Sequence, residues 1–276
     1  VNEPGIDGVA FTGSYKAGMS IMRQFASGVF MRPVLAEMGG KNPAYVSRSA
    51  DVKAAVEGVA RSAFSFQGQK CSACSVAYVH ESHYEPFVAA LVERAAKFKA
   101  GSAERRDVSA GPLINDEALK RYEDTVAYAR KAGRVIAGGK RLTGGEFEHG
   151  NFVEPTIVVD LPEDDRLFKE ELFAPILAVT KFSTLESAIK RGNAAQYGLT
   201  AGFYGKDKAE IDYFQDHVES GVLYINRSTG ATTGAWPGLQ SFCGWKGSGL
   251  SGKGGLGPYY LPQFMREQSR TARAVE

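Results

Sequence analysis

Two side chains in this sequence have the chemistry and setting of a reactive thiol and a general base. Cys71 lies in Gln67-Gly-Gln-Lys-Cys-Ser-Ala-Cys-Ser75, after a helix stop and before a strand. That setting puts it at a sheet edge, where sites are built. The neighbouring Lys70 and nearby backbone amides favour the thiolate, the form that attacks carbonyl carbon. A cysteine is equally a small hydrophobe that packs in cores, and its position alone leaves both roles open. Cys71-x-x-Cys74 also invites a metal or redox reading. Zinc needs more ligands, however, and there is no second cysteine pair or paired histidine, so no metal site is expected. Glu37, in Leu35-Ala-Glu-Met-Gly-Gly-Lys-Asn-Pro43, ends an apolar strand. Partial desolvation there raises a carboxyl towards neutrality and suits a general base, although a surface glutamate at a strand end reads the same way. Phe11-Thr-Gly-Ser14 sets glycine and a hydroxyl at a strand-to-helix turn. Free amides and the helix dipole bind phosphate at such turns.

These residues need a scaffold, and the pattern supplies one. Gly8 to Thr12 reads as a buried strand, Lys16 to Ala26 as a helix, and Met31 to Met38 as a second strand closed by Gly39-Gly40. Together they form a β-α-β unit. Asp51 caps a helix whose apolar residues Val52, Ala55, Val56, Val59, Ala60, Ala63 and Phe64 recur at helical spacing. Gln67-Gly68-Gln69 stops it. Further strands are predicted at Ser75 to Val79, Val135 to Ala137, Thr156 to Val159, Ile176 to Phe182, Leu199 to Tyr204 and Val222 to Ile225. Helices are predicted at Tyr84 to Lys99, Glu117 to Ala132, Thr184 to Arg191 and Asp207 to His217. Alternating strands and helices give an α/β class with an open, mostly parallel sheet flanked by helices. After Asn226 the chain is Gly-, Ser- and aromatic-rich up to Tyr260, and a long irregular stretch of this kind is more often functional than idle.

Bulk properties exclude several classes. The 276 residues suffice for one large domain or two modest ones. The net charge of +2 gives no electrostatic case for nucleic acid or an acidic membrane surface. No apolar run approaches a membrane span, and Val1 to Gly8 lack the features of a signal peptide. Three cysteines, Cys71, Cys74 and Cys243, argue against a disulfide scaffold and for a reducing, cytoplasmic compartment. The chain opens almost at a ligand-binding turn, which suggests the C-terminal part of something longer.

Four blocks, in this order, resemble the aldehyde dehydrogenase superfamily: Phe11 to Ser14, Leu35 to Pro43, Phe66 to Ser75, and Glu170-Glu-Leu-Phe-Ala-Pro-Ile-Leu177. The resemblance covers essentially the whole chain. It implies a Rossmann-like cofactor domain ending near residue 38 and a catalytic domain over 39–245. Residues 246–276 become a C-terminal return and oligomerisation segment, whose Arg-rich end joins a neighbouring subunit. It makes Cys71 the nucleophile, forming a thiohemiacetal and then a thioester, and Glu37 the base that activates water. The Cys71 amide faces the oxyanion. Gly13 and Ser14 match positions near the pyrophosphate of NAD or NADP, and Glu171 and Phe173 match those that hold the nicotinamide ribose and ring.

Gln69-Lys-Cys-Ser-Ala-Cys-Ser75, Thr229 to Gly234 and Gln240 to Ser248 resemble the 1-pyrroline-5-carboxylate (glutamate semialdehyde) dehydrogenase branch, which serves proline catabolism. There, Ser72, Gly230 and Ala231 match an anchor for the substrate's α-carboxylate, and Phe242 matches a residue packing on its aliphatic part. Ser241-Phe-Cys-Gly244 and Ala235-Trp236-Pro237 depart from that branch's pattern and leave other small aldehydes open as substrates. Family members are longer. The resemblance therefore implies a homo-oligomeric enzyme whose N-terminal half supplies most of the cofactor sheet, an oxyanion-hole asparagine and a ribose-contacting lysine. A split subunit, or a binding protein reusing the fold, is the alternative.

Overall fold

A computed structural model describes residue 3 and residues 5–235, 238–250 and 253–273. Trp236 and Pro237 of the atypical segment, and the last three residues of the Arg-rich tail, lie outside the described residues.

The chain opens with β1 (Val9–Thr12), α1 (Tyr15–Ala26) and β2 (Val34–Glu37). β1 and β2 pair in parallel as a two-stranded sheet of their own, with Thr12 opposite Glu37. The second strand is shorter than its apolar pattern suggests. Met31 is exposed and lies outside it, and pairing begins only after Pro33. Gly39 and Gly40 then carry the chain into a second sheet.

That sheet starts with β3 (Asn42–Val46), a strand that the sequence reading misses. Then come α2 (Val52–Phe64), β4 (Cys74–His80), α3 (Tyr84–Ala95), α4 (Asp116–Ala132), β5 (Arg134–Ala137), β6 (Thr156–Val159) and β7 (Ile176–Phe182). The chain continues through α5 (Leu185–Asn193), β8 (Tyr197–Gly198), β9 (Thr200–Tyr204), α6 (Lys208–His217), β10 (Val222–Ile225) and β11 (Trp245–Lys246). Seven strands form one sheet in the order β10-β9-β3-β4-β7-β6-β5. Every pairing is parallel except β5 with β6. β8 and β11 make a small antiparallel pair.

Both faces of the central strands are buried, which is why they read as near-continuous apolar runs. Alternate residues serve opposite faces. Ala44, Val46, Ala77, Val79, Leu177 and Val179 pack with Val56, Val59 and Phe64 of α2 and Phe87 and Leu91 of α3. Tyr45, Val76, Tyr78, Ala178 and Phe203 face the other way, towards Ala188 and Ile189 of α5 and Phe214 of α6. Asp51 caps α2 by accepting from the Ala54 amide. After α2, Phe66, Gln67 and Gly68 all take positive φ (57°, 57° and 64°), and a Cβ on Gly68 would press on the Ala174 carbonyl. This left-handed run turns the chain sharply into the Cys71 segment.

Candidate active site

Cys71 sits in the turn that leads into β4. β4 lies in the middle of the sheet, between β3 and β7, so the thiol lies just before a central strand and not at an edge as the sequence suggests. Its turn closes with the Ala73 amide donating to the Lys70 carbonyl (3.1 Å). Burial pushes the thiol above its ordinary 9, and the nearby carboxylates of Glu171 and Glu37 push the same way; the amides of Ser72 and of Cys71 itself oppose them. The expected help from Lys70 does not occur. Its ammonium lies over the Phe66 ring, 5.6 Å from the centroid. The amides, not a cation, are what favour the thiolate here.

Glu37 ends β2, where the neighbouring chain walls it in. Oε1 accepts from the Gly255 amide at 3.0 Å, while Oε2 is buried with no hydrogen-bond partner among the described residues. Burial raises the carboxyl from 4.5 to about 7, against the opposing Gly255 hydrogen bond. A carboxylate with one bare oxygen, half-ionised near neutrality, is equipped to take a proton from a water or thiol. Gly255 also pairs with Phe242, whose amide donates to the Gly255 carbonyl (2.9 Å). The chain after residue 240 thus straps across the end of β2 and brings Phe242 to the same site.

Glu171 approaches from the loop before β7. Its Oε1 accepts from the Gly40 amide at 3.1 Å, and its carboxylate fills the space that a Cβ on Gly39 would need. Burial raises its carboxyl above the usual range, offset by the Gly40 amide and by Lys41 and Arg121. Two residues on, Phe173 is exposed at φ 52°. Gly13 and Ser14 lie across β2, with the Gly13 amide donating to the Glu37 carbonyl (3.0 Å). Ser14 caps α1 by accepting from Ala17, and no acidic residue stands in the first turn of that helix. Free helical amides without a nearby anion suit a phosphate, and a half-buried acid beside an exposed ring suits a ribose and a planar heterocycle. The residues present fit a dinucleotide.

The structure brings together Cys71, Glu37, Glu171 and, through Gly255, Phe242. The carboxylate anchor is a partial exception. Ser72 and Ala231 are buried, but the Ala231 amide donates to the Gly58 carbonyl (3.0 Å). Within the backbone-and-hydroxyl anchor expected from Ser72, Gly230 and Ala231, the Ala231 amide is therefore engaged inside the fold. The Gly230 amide makes only a long 3.5 Å contact to the Arg227 carbonyl.

Residues 1–269 match the model of the aldehyde dehydrogenase family. The chain belongs to the aldehyde dehydrogenase family. A 1-pyrroline-5-carboxylate dehydrogenase of Bacillus mycoides (strain KBAB4) is 35% identical over 273 residues, covering 98% of this chain and 52% of the relative. Among solved structures, a Thermus 1-pyrroline-5-carboxylate dehydrogenase with bound NAD superposes with a TM-score of 0.87 at 32% identity, covering 95% of this chain and 50% of that one. Proline utilization A from Bdellovibrio bacteriovorus gives 0.88 at 37% identity, covering 96% and 27%. The chain spans about half the length of the curated relatives it matches.

Three site residues escape the sequence reading. Asn42 is buried and bonds the Cys71 and Ala73 carbonyls. Thr232 is buried and donates to the Ser72 carbonyl. The buried Lys41 ammonium has no hydrogen-bond partner among the described residues, and burial lowers it to about 8. The signal for Lys41 and Asn42 was their place inside the Leu35 to Pro43 block.

Proposed function

We propose that this polypeptide carries the nucleophile and base of an NAD(P)-dependent dehydrogenase that oxidises L-glutamate γ-semialdehyde to L-glutamate. The Cys71 sulfur bonds to the aldehyde carbon, and its proton passes to base or solvent. The carbonyl oxygen becomes an oxyanion beside the Cys71 amide. The nicotinamide, when bound, supplies the hydride acceptor that turns this adduct into a thioester. Glu37 takes a proton from water at Oε2, the water adds to the thioester carbon, and the C–S bond breaks to release the acid and the thiol. Glu171 and Phe173 hold the ribose and ring, and the Gly13–Ser14 turn holds the pyrophosphate. Ser72, Gly230 and Phe242 receive the substrate's carboxylate and methylene chain.

The observation that carries the reading is the buried, bare carboxylate oxygen on Glu37, in a site where the charge of that residue is felt by the Cys71 thiol. The names of the most similar relatives support the substrate. Residues 1–38 then belong to the cofactor domain and 39–245 to the catalytic domain, with the return after 245 completing the base. The exposed Val29, Phe30 and Met31 and the exposed Leu261 and Met265 support burial against a missing N-terminal half and a second copy. The free cysteines support a reducing, cytoplasmic setting. The decisive experiment measures NAD reduction with glutamate semialdehyde and with aliphatic aldehydes, for this chain alone and with an N-terminal half supplied. Turnover that favours the semialdehyde and is lost in Cys71→Ala is expected. No turnover in any combination overturns the proposal.

A further inference from the structure

Three successive carbonyls of the nucleophile turn are each held by a buried side chain. Asn42 Nδ2 donates to the carbonyl of Cys71 at 2.8 Å and to that of Ala73 at 2.9 Å. Between them, Thr232 Oγ1 donates to the Ser72 carbonyl at 2.7 Å. Asn42 is also fixed at its other end, where Oδ1 accepts from the Thr200 amide of β9 (3.1 Å). Its three hydrogen bonds tie the turn to the neighbouring strand through a side chain only 1% exposed. Thr232 is braced by Ser62 of α2, whose Oγ accepts from the Thr232 amide (3.0 Å). Gly40 adds the space: a Cβ there would collide with the Cys71 carbonyl.

The planarity of the peptide unit gives these contacts a consequence. In a trans peptide the carbonyl of one residue and the N–H of the next point in opposite directions. Pulling the Cys71 carbonyl inward to Asn42 therefore turns the Ser72 N–H outward, onto the side of the Cys71 sulfur. The Lys70 carbonyl, engaged by the Ala73 amide, does the same for the N–H of Cys71. We propose that Asn42 is a positioning residue for the nucleophile: it fixes the Cys71–Ser72 peptide so that the Ser72 amide faces the sulfur and favours its anionic form. The inference rests on Cys71 being the reactive thiol of the proposed function, but it does not need aldehyde turnover to be tested.

The test is the pH profile of Cys71 alkylation by iodoacetamide in this chain, read by peptide mass spectrometry. Cys243 in the same molecules is the internal control. Asn42→Leu keeps the volume and removes every polar contact. Its Cys71 profile is expected to move to higher pH, slowing alkylation about tenfold near pH 8, with Cys243 unchanged. Asn42→Ser keeps one donor at less volume and should move the profile the same way by a smaller amount; it decides the matter if the leucine variant fails to fold. Hydrogen exchange should show the 71–73 amides opening at least tenfold more often than in the parent chain. An unchanged profile overturns the proposal. So does a move to lower pH with faster alkylation, because Asn42 would then merely keep the turn buried. Absence of aldehyde turnover by any form overturns the proposed function instead and leaves these profiles interpretable.

Discussion

Replacing Glu37 with glutamine separates the cost of the buried base from its use. Burial moves the Glu37 carboxyl from 4.5 to about 7. The folded state therefore binds this proton more tightly than the unfolded chain. Stability contributed by the neutral carboxyl is present below pH 4.5 and is lost as pH rises towards 7, with the full cost reached above it. At pH 8 the cost is about 3 kcal/mol, and at pH 5 it is already about 0.8 kcal/mol. Glutamine cannot ionise, so it avoids this loss. Its oxygen can still accept from Gly255, but its amide nitrogen would sit where Oε2 is bare, a fixed penalty of about 1–3 kcal/mol. That penalty does not depend on pH and cancels in a comparison of two pH values. The expected result is that Glu37→Gln gains about 2.5 kcal/mol on the parent chain between pH 5 and pH 8, measured by urea unfolding at both. Other titrating groups are common to both proteins and drop out. A stability difference constant to within about 0.5 kcal/mol would refute the claim that Glu37 titrates near neutrality in a desolvated site. The same variant should retain Cys71 alkylation while losing thioester hydrolysis.

Other outcomes follow from the same geometry. Glu171→Gln removes one of the two carboxylates opposing Cys71 ionisation, so the alkylation profile of the thiol should move to lower pH; an unchanged profile would place the carboxylate too far away to matter. Gly40→Ala should cost stability and slow Cys71 chemistry, because the new methyl collides with the Cys71 carbonyl held by Asn42; full retention of both would show that the turn is free to move. Phe87→Ala empties a fully buried site between α3 and the sheet and should cost about 3–5 kcal/mol in urea unfolding, with a value under about 1 kcal/mol showing that the core there is not packed as described. Glu57 is ion-paired with Arg94 and Arg61, which holds its carboxyl down at about 2. Its stabilisation is full above pH 4.5 and lost as pH falls towards 2. Because the pair is partly exposed, Glu57→Gln should cost only about 1 kcal/mol at pH 7, and that difference should vanish in acid.

The long elements were legible from their apolar pattern: α2 at helical spacing, and β7 from the apolar stretch Ile176 to Val179 that opens it. β3 was not, because Pro43 stands inside it and proline argues against a central strand. The structure accommodates it at the strand's start. The register with β4 shifts between Asn42 and Pro43, and pairing with β9 begins only at Ala44, so the missing N–H interrupts no ladder. Cys71, Glu37 and Glu171 were found through ordered blocks of residues, and the structure places them together. What surrounds them was less visible. The direction of the Lys70 side chain, the use of the Ala231 amide by Gly58 and the bonds of Asn42 all depend on which backbone groups face each other in three dimensions. Residue spacing carries no such information.

The Gly255 amide that holds Glu37 comes from 218 residues further along the chain. During synthesis, at about 5–20 residues per second, Glu37 would wait on the order of ten to forty seconds for that partner to be made. β1, β2 and the Cys71 turn can all be laid down before the strap exists. A nascent chain would thus expose its thiol while its base still had the acidity of an ordinary glutamate. The contact that closes over Glu37 is thus among the last that this stretch of chain can make, and the raised pKa of Glu37 belongs to the folded state and not to the nascent one.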